Sequence, residues 1–197
     1  MNCILEHFQT ELVIKHSRFI AEVFPVDNQA AARELLKEQK QKYFDSTHVV
    51  HAFVIGKNAE VLGMSDDGEP SGTAGRPVLD VLKGSGCTNI LLTVTRYFGG
   101  TLLGTGGLVK AYSDSAKAVL DITKFEPLIE KSNFKFSLNY DMYEKVKYHF
   151  NHYHIDSLQE DFTEKITISG VIFADEFNSF KKEIEDLSNA RILVELC

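Results

Sequence analysis

The sequence lacks any apolar run close to the roughly 20 residues that a membrane-spanning helix needs, which predicts a protein without membrane spans. Its N-terminus has no basic stretch followed by a long apolar core, so we expect no secretion signal and a cytoplasmic location. Only three cysteines occur, Cys3, Cys87 and Cys197, and they form no CxxC pair. This spacing predicts free thiols, with no disulfides and no zinc knuckle.

An excess of positive charge is also missing. The formal net charge is −7, with 13 Lys and Arg against 15 Asp and Glu in residues 1–127, and 8 against 13 in residues 128–197. Neither half has the overall basicity of a general nucleic-acid binder. Any contact with nucleic acid would therefore need a local patch in the first half.

Motifs that carry catalysis are absent as well. No serine, cysteine or lysine lies in a recognisable nucleophile motif beside a base. The glycines form neither a P-loop, which requires a following GK[ST], nor a GxGxxG within a Rossmann unit. We therefore expect no bound cofactor, no metal site and no catalytic residues.

Glycine, in contrast, is concentrated in one region. Twelve of the 13 glycines lie between Gly56 and Gly107. Glycine costs conformational entropy on folding, so a cluster indicates positive φ angles or a close approach to the backbone. The same region contains an acidic loop and two arginines, which favours a surface built for a specific ligand or partner.

The segment FGGTLLGTGGLVK is predicted to join the end of a strand to the start of a helix. The residues that we assign to an anion or partner site here are Gly99, Gly100, Gly104, Gly106, Gly107 and Lys110. Backbone N–H groups at the positive end of a helix suit phosphate or carboxylate. The alternative is a tight turn with close packing of helix on strand, for which glycine serves equally well.

Two arginines complete this predicted site. Arg76 follows the acidic loop, and Arg96 continues the apolar face of a predicted strand, Ile90–Phe98. A guanidinium group at a buried position needs an anion. The anion is either an internal carboxylate of the acidic loop or an external ligand.

The acidic loop contains Asp66, Asp67 and Glu69 in the segment SDDGEPSGTAGRP. Three carboxylates can bind a hard cation, but the DDGE spacing differs from that of a calcium loop, and a rigid turn is the alternative. His48 and His51 lie three apart on a predicted strand and point to opposite faces, so they are not paired ligands. A general-base role for His48 stays open.

The predicted fold class is α+β with two domains, residues 1–126 and 130–197. In the second domain, alternating and helical patterns follow in the order βαββαβ, typical of a ferredoxin-like fold. Asp141 and Asp175 are predicted to begin its helices. In the first domain we predict strands over about Ile4–Ile14 and Arg18–Val26, then a helix begun by Asp27 or Asn28.

The segments SDDGEPSGTAGRPVL and TRYFGGTLLGTGGLVKAY resemble the signature of the IMPACT/YigZ family, and HVVHAFVIG is similar to its histidine-containing strand. The resemblance implies an N-terminal βαβ domain of the kind shared by a ribosomal protein and the GHMP kinases. It also implies a ferredoxin-like C-terminal domain that resembles a domain of elongation factor G.

Eukaryotic IMPACT proteins are translation regulators that act by binding. The resemblance therefore implies a non-catalytic protein linked to translation, with RNA, the ribosome or a translation-associated protein as partner. The alternative is an enzyme that binds a phosphorylated small molecule or nucleotide at the glycine-rich loop.

Overall fold

The computed structural model describes all 197 residues, and the chain forms two compact units, Met1–Leu128 and Ile129–Cys197. Both units combine helices with antiparallel sheets, so the predicted α+β class is confirmed. None of the five helices is long and apolar enough to cross a membrane.

The N-terminal unit has a five-stranded antiparallel sheet and three helices. Its strands are β1 (Asn2–Cys3), β2 (Phe8–Ile14), β3 (Ser17–Pro25), β4 (His48–Ile55), β5 (Val61–Ser65), β6 (Ile90–Tyr97) and β7 (Glu126–Pro127). Its helices are α1 (Gln29–Lys42), α2 (Gly75–Gly84) and α3 (Thr105–Ile122). The main sheet has the order β2-β3-β6-β4-β5, and β1 pairs with β7.

The sheet buries apolar side chains on both faces. Along β4, Val50, Ala52 and Val54 belong to the main core with α2 and α3. The alternate residues Phe53 and Ile55 belong to a smaller cluster under α1. The prediction that this strand is apolar on both faces is confirmed, because successive side chains of a strand point to opposite sides of the sheet.

The first strand is shorter than predicted. Residues 4–7 are outside strands, and β1 pairs with β7 rather than with the main sheet. The pattern could not show this break, because Ile4 is buried and so continues the apolar signal. Of the two residues predicted to begin α1, Asp27 and Asn28, the structure shows Asn28, whose side chain accepts a hydrogen bond of 2.9 Å from the Ala31 N–H.

A polar cluster lies between α1 and the sheet. Glu22 is fully buried, and its Oε1 atom accepts hydrogen bonds from Lys42 Nζ at 2.8 Å and from His7 Nε2 at 3.1 Å. His51 faces the same side, and its Nδ1 atom is buried without a hydrogen-bond partner. Burial, together with the positive charge of Lys40, lowers the pKa of His51 to about 4.

We expect this histidine to make the N-terminal unit sensitive to acid. The unfolded chain binds a proton on His51 near pH 6.5, whereas the folded chain resists it until about pH 4. Stability from this group is therefore complete above pH 6.5 and is lost as the pH falls toward 4, by about 3 kcal/mol. Urea unfolding across this range should show a smaller loss for His51→Gln than for the unmodified protein. The exposed His16, changed to Asn, is the matched control, and an equal effect of both substitutions would contradict the assignment.

The C-terminal unit has four main strands and two helices. They are β8 (Lys131–Leu138), α4 (Tyr140–His149), β9 (Ile155–Phe162), β10 (Ile166–Phe173), α5 (Phe177–Leu187) and β11 (Glu195–Leu196), with a 3-10 turn at Phe150–His152. The sheet order β11-β8-β10-β9 with antiparallel pairing confirms the ferredoxin-like prediction. One β-bulge interrupts the pairing of β9 with β10.

Both predicted helix starts in this unit are wrong by one or two positions. Helix α4 begins at Tyr140 after Asn139, and Asp141 lies in the first turn, where its charge favours the helix dipole. Helix α5 begins at Phe177, two residues after Asp175. Acidic residues are favourable both before and inside the first turn, so composition alone does not distinguish the two positions.

Candidate functional site

Asp66 organises the acidic loop that follows β5. Its carboxylate accepts hydrogen bonds from the N–H groups of Gly72 at 2.8 Å, Ala74 at 3.0 Å and Gly75 at 2.8 Å. Burial acts to raise the pKa of Asp66, but these three backbone donors outweigh it and hold the pKa below its ordinary value. Helix α2 has no capping side chain of its own at Ala74, so Asp66 supplies this cap from outside the helix.

Asp67 connects the same loop to the sheet and to α1 through hydrogen bonds. Its Oδ2 atom accepts from the Val49 N–H at 2.7 Å, and its Oδ1 atom accepts from Lys40 Nζ at 2.5 Å. His48 Nδ1 donates to the carbonyl oxygen of Asp67 at 2.8 Å. His48 Nε2 then faces Glu69, 3.9 Å from its Oε2 atom.

Glu69 is the centre of a buried polar network. Its Oε1 atom accepts from Arg96 Nη1 at 2.6 Å and from the Tyr112 hydroxyl at 2.8 Å. Glu69 is 8% exposed and Arg96 5%. Burial, reinforced by the negative charge of Glu69, raises the pKa of Tyr112 well above its usual range, so the hydroxyl stays a hydrogen-bond donor.

Aromatic rings enclose the Arg96 guanidinium group. Its central carbon lies 5.5 Å from the ring centroids of both Phe19 and Phe98, and Nη2 reaches Ser17 Oγ at 3.4 Å. The sequence left open whether Arg96 pairs with an internal carboxylate or with an external anion, and the structure shows the internal carboxylate of Glu69. The charge of Arg96 is thus neutralised inside the protein, and the pair fixes the acidic loop against β6.

The glycines after β6 differ in their roles. A Cβ atom on Gly99 would lie 2.0 Å from the backbone of His16, so the close approach of the β2–β3 turn requires glycine there. Gly100 and Gly104 have φ angles of +81° and +76°, in the region that favours glycine. The local backbone therefore accounts for glycine at these three positions.

Gly106 has neither requirement. It lies in the first turn of α3, its φ is not positive, and a Cβ atom there would meet no atom within 4 Å. The first hydrogen bond of the helix runs from the Leu108 N–H to the Gly104 carbonyl, and no side chain caps this end. The N–H groups of residues 105–107 therefore point out of the helix without an acceptor. The fold alone gives no reason for glycine at position 106.

An open cleft of about 480 Å³ lies next to this helix start, and we call it the α3 cleft. It is bounded by His48, Glu69, Phe98, Leu102 and Gly104, among others. Two of its apolar side chains are exposed, Phe98 by 46% and Leu102 by 83%. The cleft thus has an apolar rim and extends to Thr105, the first of the residues with an unpaired N–H group.

The two remaining predicted cations lie outside the buried network. Arg76 is paired with Asp80 at 2.9 Å, and Lys110 with Asp114 at 2.6 Å, each one helical turn further along. All four side chains are exposed to a large extent, and such surface pairs contribute at most about 1 kcal/mol. An anion could therefore take the place of either carboxylate at little cost.

The three carboxylates of the acidic loop all have hydrogen-bond partners within the protein, so they are not free to form a cation site together.

Neither Leu102 nor the hydroxyl of Tyr112 was identified from the sequence as part of this region. Leu102 could have been noticed as an apolar residue within a glycine-rich loop. Tyr112 fits the buried stripe of α3, and nothing in that stripe indicates a polar partner 43 residues away.

Comparisons with known proteins show which proteins this chain is similar to. The Impact N-terminal domain family matches residues 15–120. An IMPACT family member of Haemophilus influenzae is 35% identical over 185 residues, 93% of this chain and 90% of that protein. The IMPACT family member YvyE of Bacillus subtilis is 31% identical over 191 residues, 95% of this chain and 87% of YvyE. A crystal structure of a hypothetical protein superposes with a TM-score of 0.72 at 29% identity, covering 98% of this chain and 95% of that one.

The family match includes the acidic loop, the buried Glu69–Arg96 pair and the whole α3 cleft. The two relatives extend the similarity through the ferredoxin-like unit. The chain therefore belongs to the IMPACT family.

Proposed function

We propose that this chain is a non-catalytic, cytoplasmic binding protein that acts in translation or its regulation, and that the α3 cleft binds a backbone phosphate of RNA, free or within the ribosome. The observation that carries the proposal is Gly106, with unpaired N–H groups around it. Glycine is less favourable than alanine in a helix. An external group that approaches the backbone closely would explain why glycine occupies position 106.

Phosphate is the ligand chemistry that fits these donors. The N-terminus of a helix combines free N–H groups with a positive partial charge. The one carboxylate that faces the cleft, Glu69, is neutralised by Arg96, so the acidic loop does not repel an anion at close range. Lys110, one turn beyond Gly106, can add its charge on release from Asp114.

The apolar rim favours RNA over an isolated phosphate. Single-stranded RNA is bound by stacking of its bases on aromatic side chains beside phosphate contacts. Phe98 and Leu102 both line the cleft and are exposed. With a net charge of −7, the protein cannot bind RNA through general attraction, so we expect a small footprint with few phosphate contacts.

The test is the substitution Gly106→Glu, which places a carboxylate where the phosphate would bind. We expect the affinity for single-stranded RNA or ribosomes to fall at least tenfold at about 50 mM salt, equivalent to about 1.4 kcal/mol. Thermal stability should be unchanged or higher, because an acidic residue in the first turn of a helix is favourable. Binding is measured by fluorescence anisotropy with labelled RNA and by co-sedimentation with ribosomes.

Gly84→Glu is the matched control, since Gly84 also has an ordinary φ and open space around its Cβ position but lies at the opposite end of a helix. We expect it to bind as the unmodified protein does. Unchanged RNA binding by Gly106→Glu would show that the RNA does not bind at the α3 cleft. If the unmodified protein binds neither RNA nor ribosomes, the proposed function is wrong. Stabilisation by mononucleotides alone would favour the small-molecule alternative.

A further inference from the structure

The C-terminal unit contains a cluster of side chains that the cleft does not involve. His149 ends α4, His152 ends the 3-10 turn, and Glu183 lies on the facing side of α5. Their ligand atoms, two imidazole nitrogens and one carboxylate oxygen, all lie within 4.8 Å of one another. The three residues are separated by up to 34 positions in the chain, so the fold brings them together.

One oxygen of Glu183 is close to both histidines. Glu183 Oε1 lies 3.4 Å from His152 Nδ1 and is hydrogen-bonded directly to His149 Nδ1, a bond that an ion between the three residues would replace. Ligands placed tetrahedrally at about 2.0–2.1 Å from zinc are about 3.3 Å apart. The two imidazole rings are perpendicular, with centroids 5.5 Å apart, and the Nδ1 atoms of both face Glu183 Oε1.

Neighbouring tyrosines hold these ligands in place. The Tyr153 hydroxyl donates to Glu183 Oε2, which leaves Oε1 turned toward the histidines. Tyr148 packs edge to face against both imidazole rings, with centroids at 5.8 and 6.0 Å. Such outer contacts are typical of metal centres, where they fix the orientation of the ligands.

The cluster is also open to solvent. The His152 side chain is 51% exposed, and a cleft of about 470 Å³ adjoins His149 and Glu183. An ion can therefore enter without unfolding, and space remains for a water molecule as a further ligand. Metal ions bind the ionised carboxylate and the neutral imidazole, so we expect the affinity for the ion to depend on pH.

We propose that His149, His152 and Glu183 bind one Zn²⁺ ion, with water in the fourth position. Two imidazole nitrogens and a carboxylate oxygen form a donor set that suits zinc among the common divalent metals, whereas calcium and magnesium prefer oxygen alone. The ion would connect the end of α4 and the 3-10 turn to α5. This site is independent of the α3 cleft and of the function proposed for it.

The full-length chain, first treated with a chelator, is titrated with Zn²⁺ in competition with a chromophoric zinc indicator. We expect one ion per chain, and at least a tenfold weaker affinity for His152→Ala. His154→Ala is the matched control, because His154 is also exposed, lies two residues further on and pairs with Glu176 instead. It should bind zinc as the unmodified chain does.

Cobalt supplies a second measurement that does not depend on affinity alone. Co²⁺ in a four-coordinate site with nitrogen and oxygen ligands absorbs visible light, and we expect this absorption to be lost in His152→Ala. Unchanged binding by His152→Ala would place the ion elsewhere in the chain, for example on the free cysteines, and overturn the proposal. Absence of stoichiometric binding, or an equal loss in His154→Ala, would overturn it too.

Discussion

Replacing Glu69 by alanine is expected to destabilise the protein by about 3–5 kcal/mol, because the guanidinium group of Arg96 would then be buried without a counter-charge. The Tyr112 hydroxyl, fully buried, would lose its acceptor at the same time. Glu69→Gln retains an oxygen acceptor without the charge and should give an intermediate loss. Urea unfolding at neutral pH measures both effects.

A triple substitution distinguishes the loss of stability caused by one unpaired buried group from the net contribution of the complete network to stability. In Glu69→Leu/Arg96→Met/Tyr112→Phe all three polar groups are removed together, and stability should return close to that of the unmodified protein. Buried ion pairs often contribute little relative to apolar residues of similar volume, whereas half of such a pair is costly. A loss below about 1 kcal/mol in Glu69→Ala would show that the pair does not form in solution.

Asp66→Ala is expected to cost about 3 kcal/mol, because three backbone N–H groups lose a charged acceptor and α2 loses its cap. Asp66→Asn retains one oxygen and should recover about half of that loss. The pKa of Asp66 is lowered in the fold, so its contribution is complete above its unfolded value of 3.8 and is lost as the pH falls through the folded value.

Asp80→Ala is the control for this prediction. Asp80 also carries a negative charge, in the middle of α2, but it is 54% exposed and pairs with Arg76. Its removal should change the free energy of unfolding by less than about 1 kcal/mol. An equal effect of the two substitutions would mean that Asp66 acts through general charge and not through its hydrogen bonds.

Periodicity predicted most of the secondary structure. The alternation along β8 and β10 and the helical stripes between them led to the ferredoxin-like order. Errors occurred where the pattern is ambiguous, as at Ile4, which is buried but outside a strand, and at Asp141, which stands inside a helix and not before it. Such boundaries depend on a few hydrogen bonds that apolar spacing does not encode.

The sequence predicted that the acidic loop and Arg96 belong together, but not which carboxylate pairs with the arginine. Arg96 had three candidate carboxylates within four residues, and all three are used differently in the structure. The choice depends on the turn between them, where Asp67 and Gly68 have φ angles of +47° and +90°. A reversal of this kind redirects each side chain, which a linear pattern cannot show.

The sequence by itself determined the order of the main strands and helices and the family signature, because these depend on local spacing and residue type. Only the tertiary structure decided that Gly99 serves a contact with His16 while Gly106 faces open space, and that His149 and His152 meet Glu183. Free space and charge partners are produced by segments far apart in the chain, so they exist only once those segments are packed together.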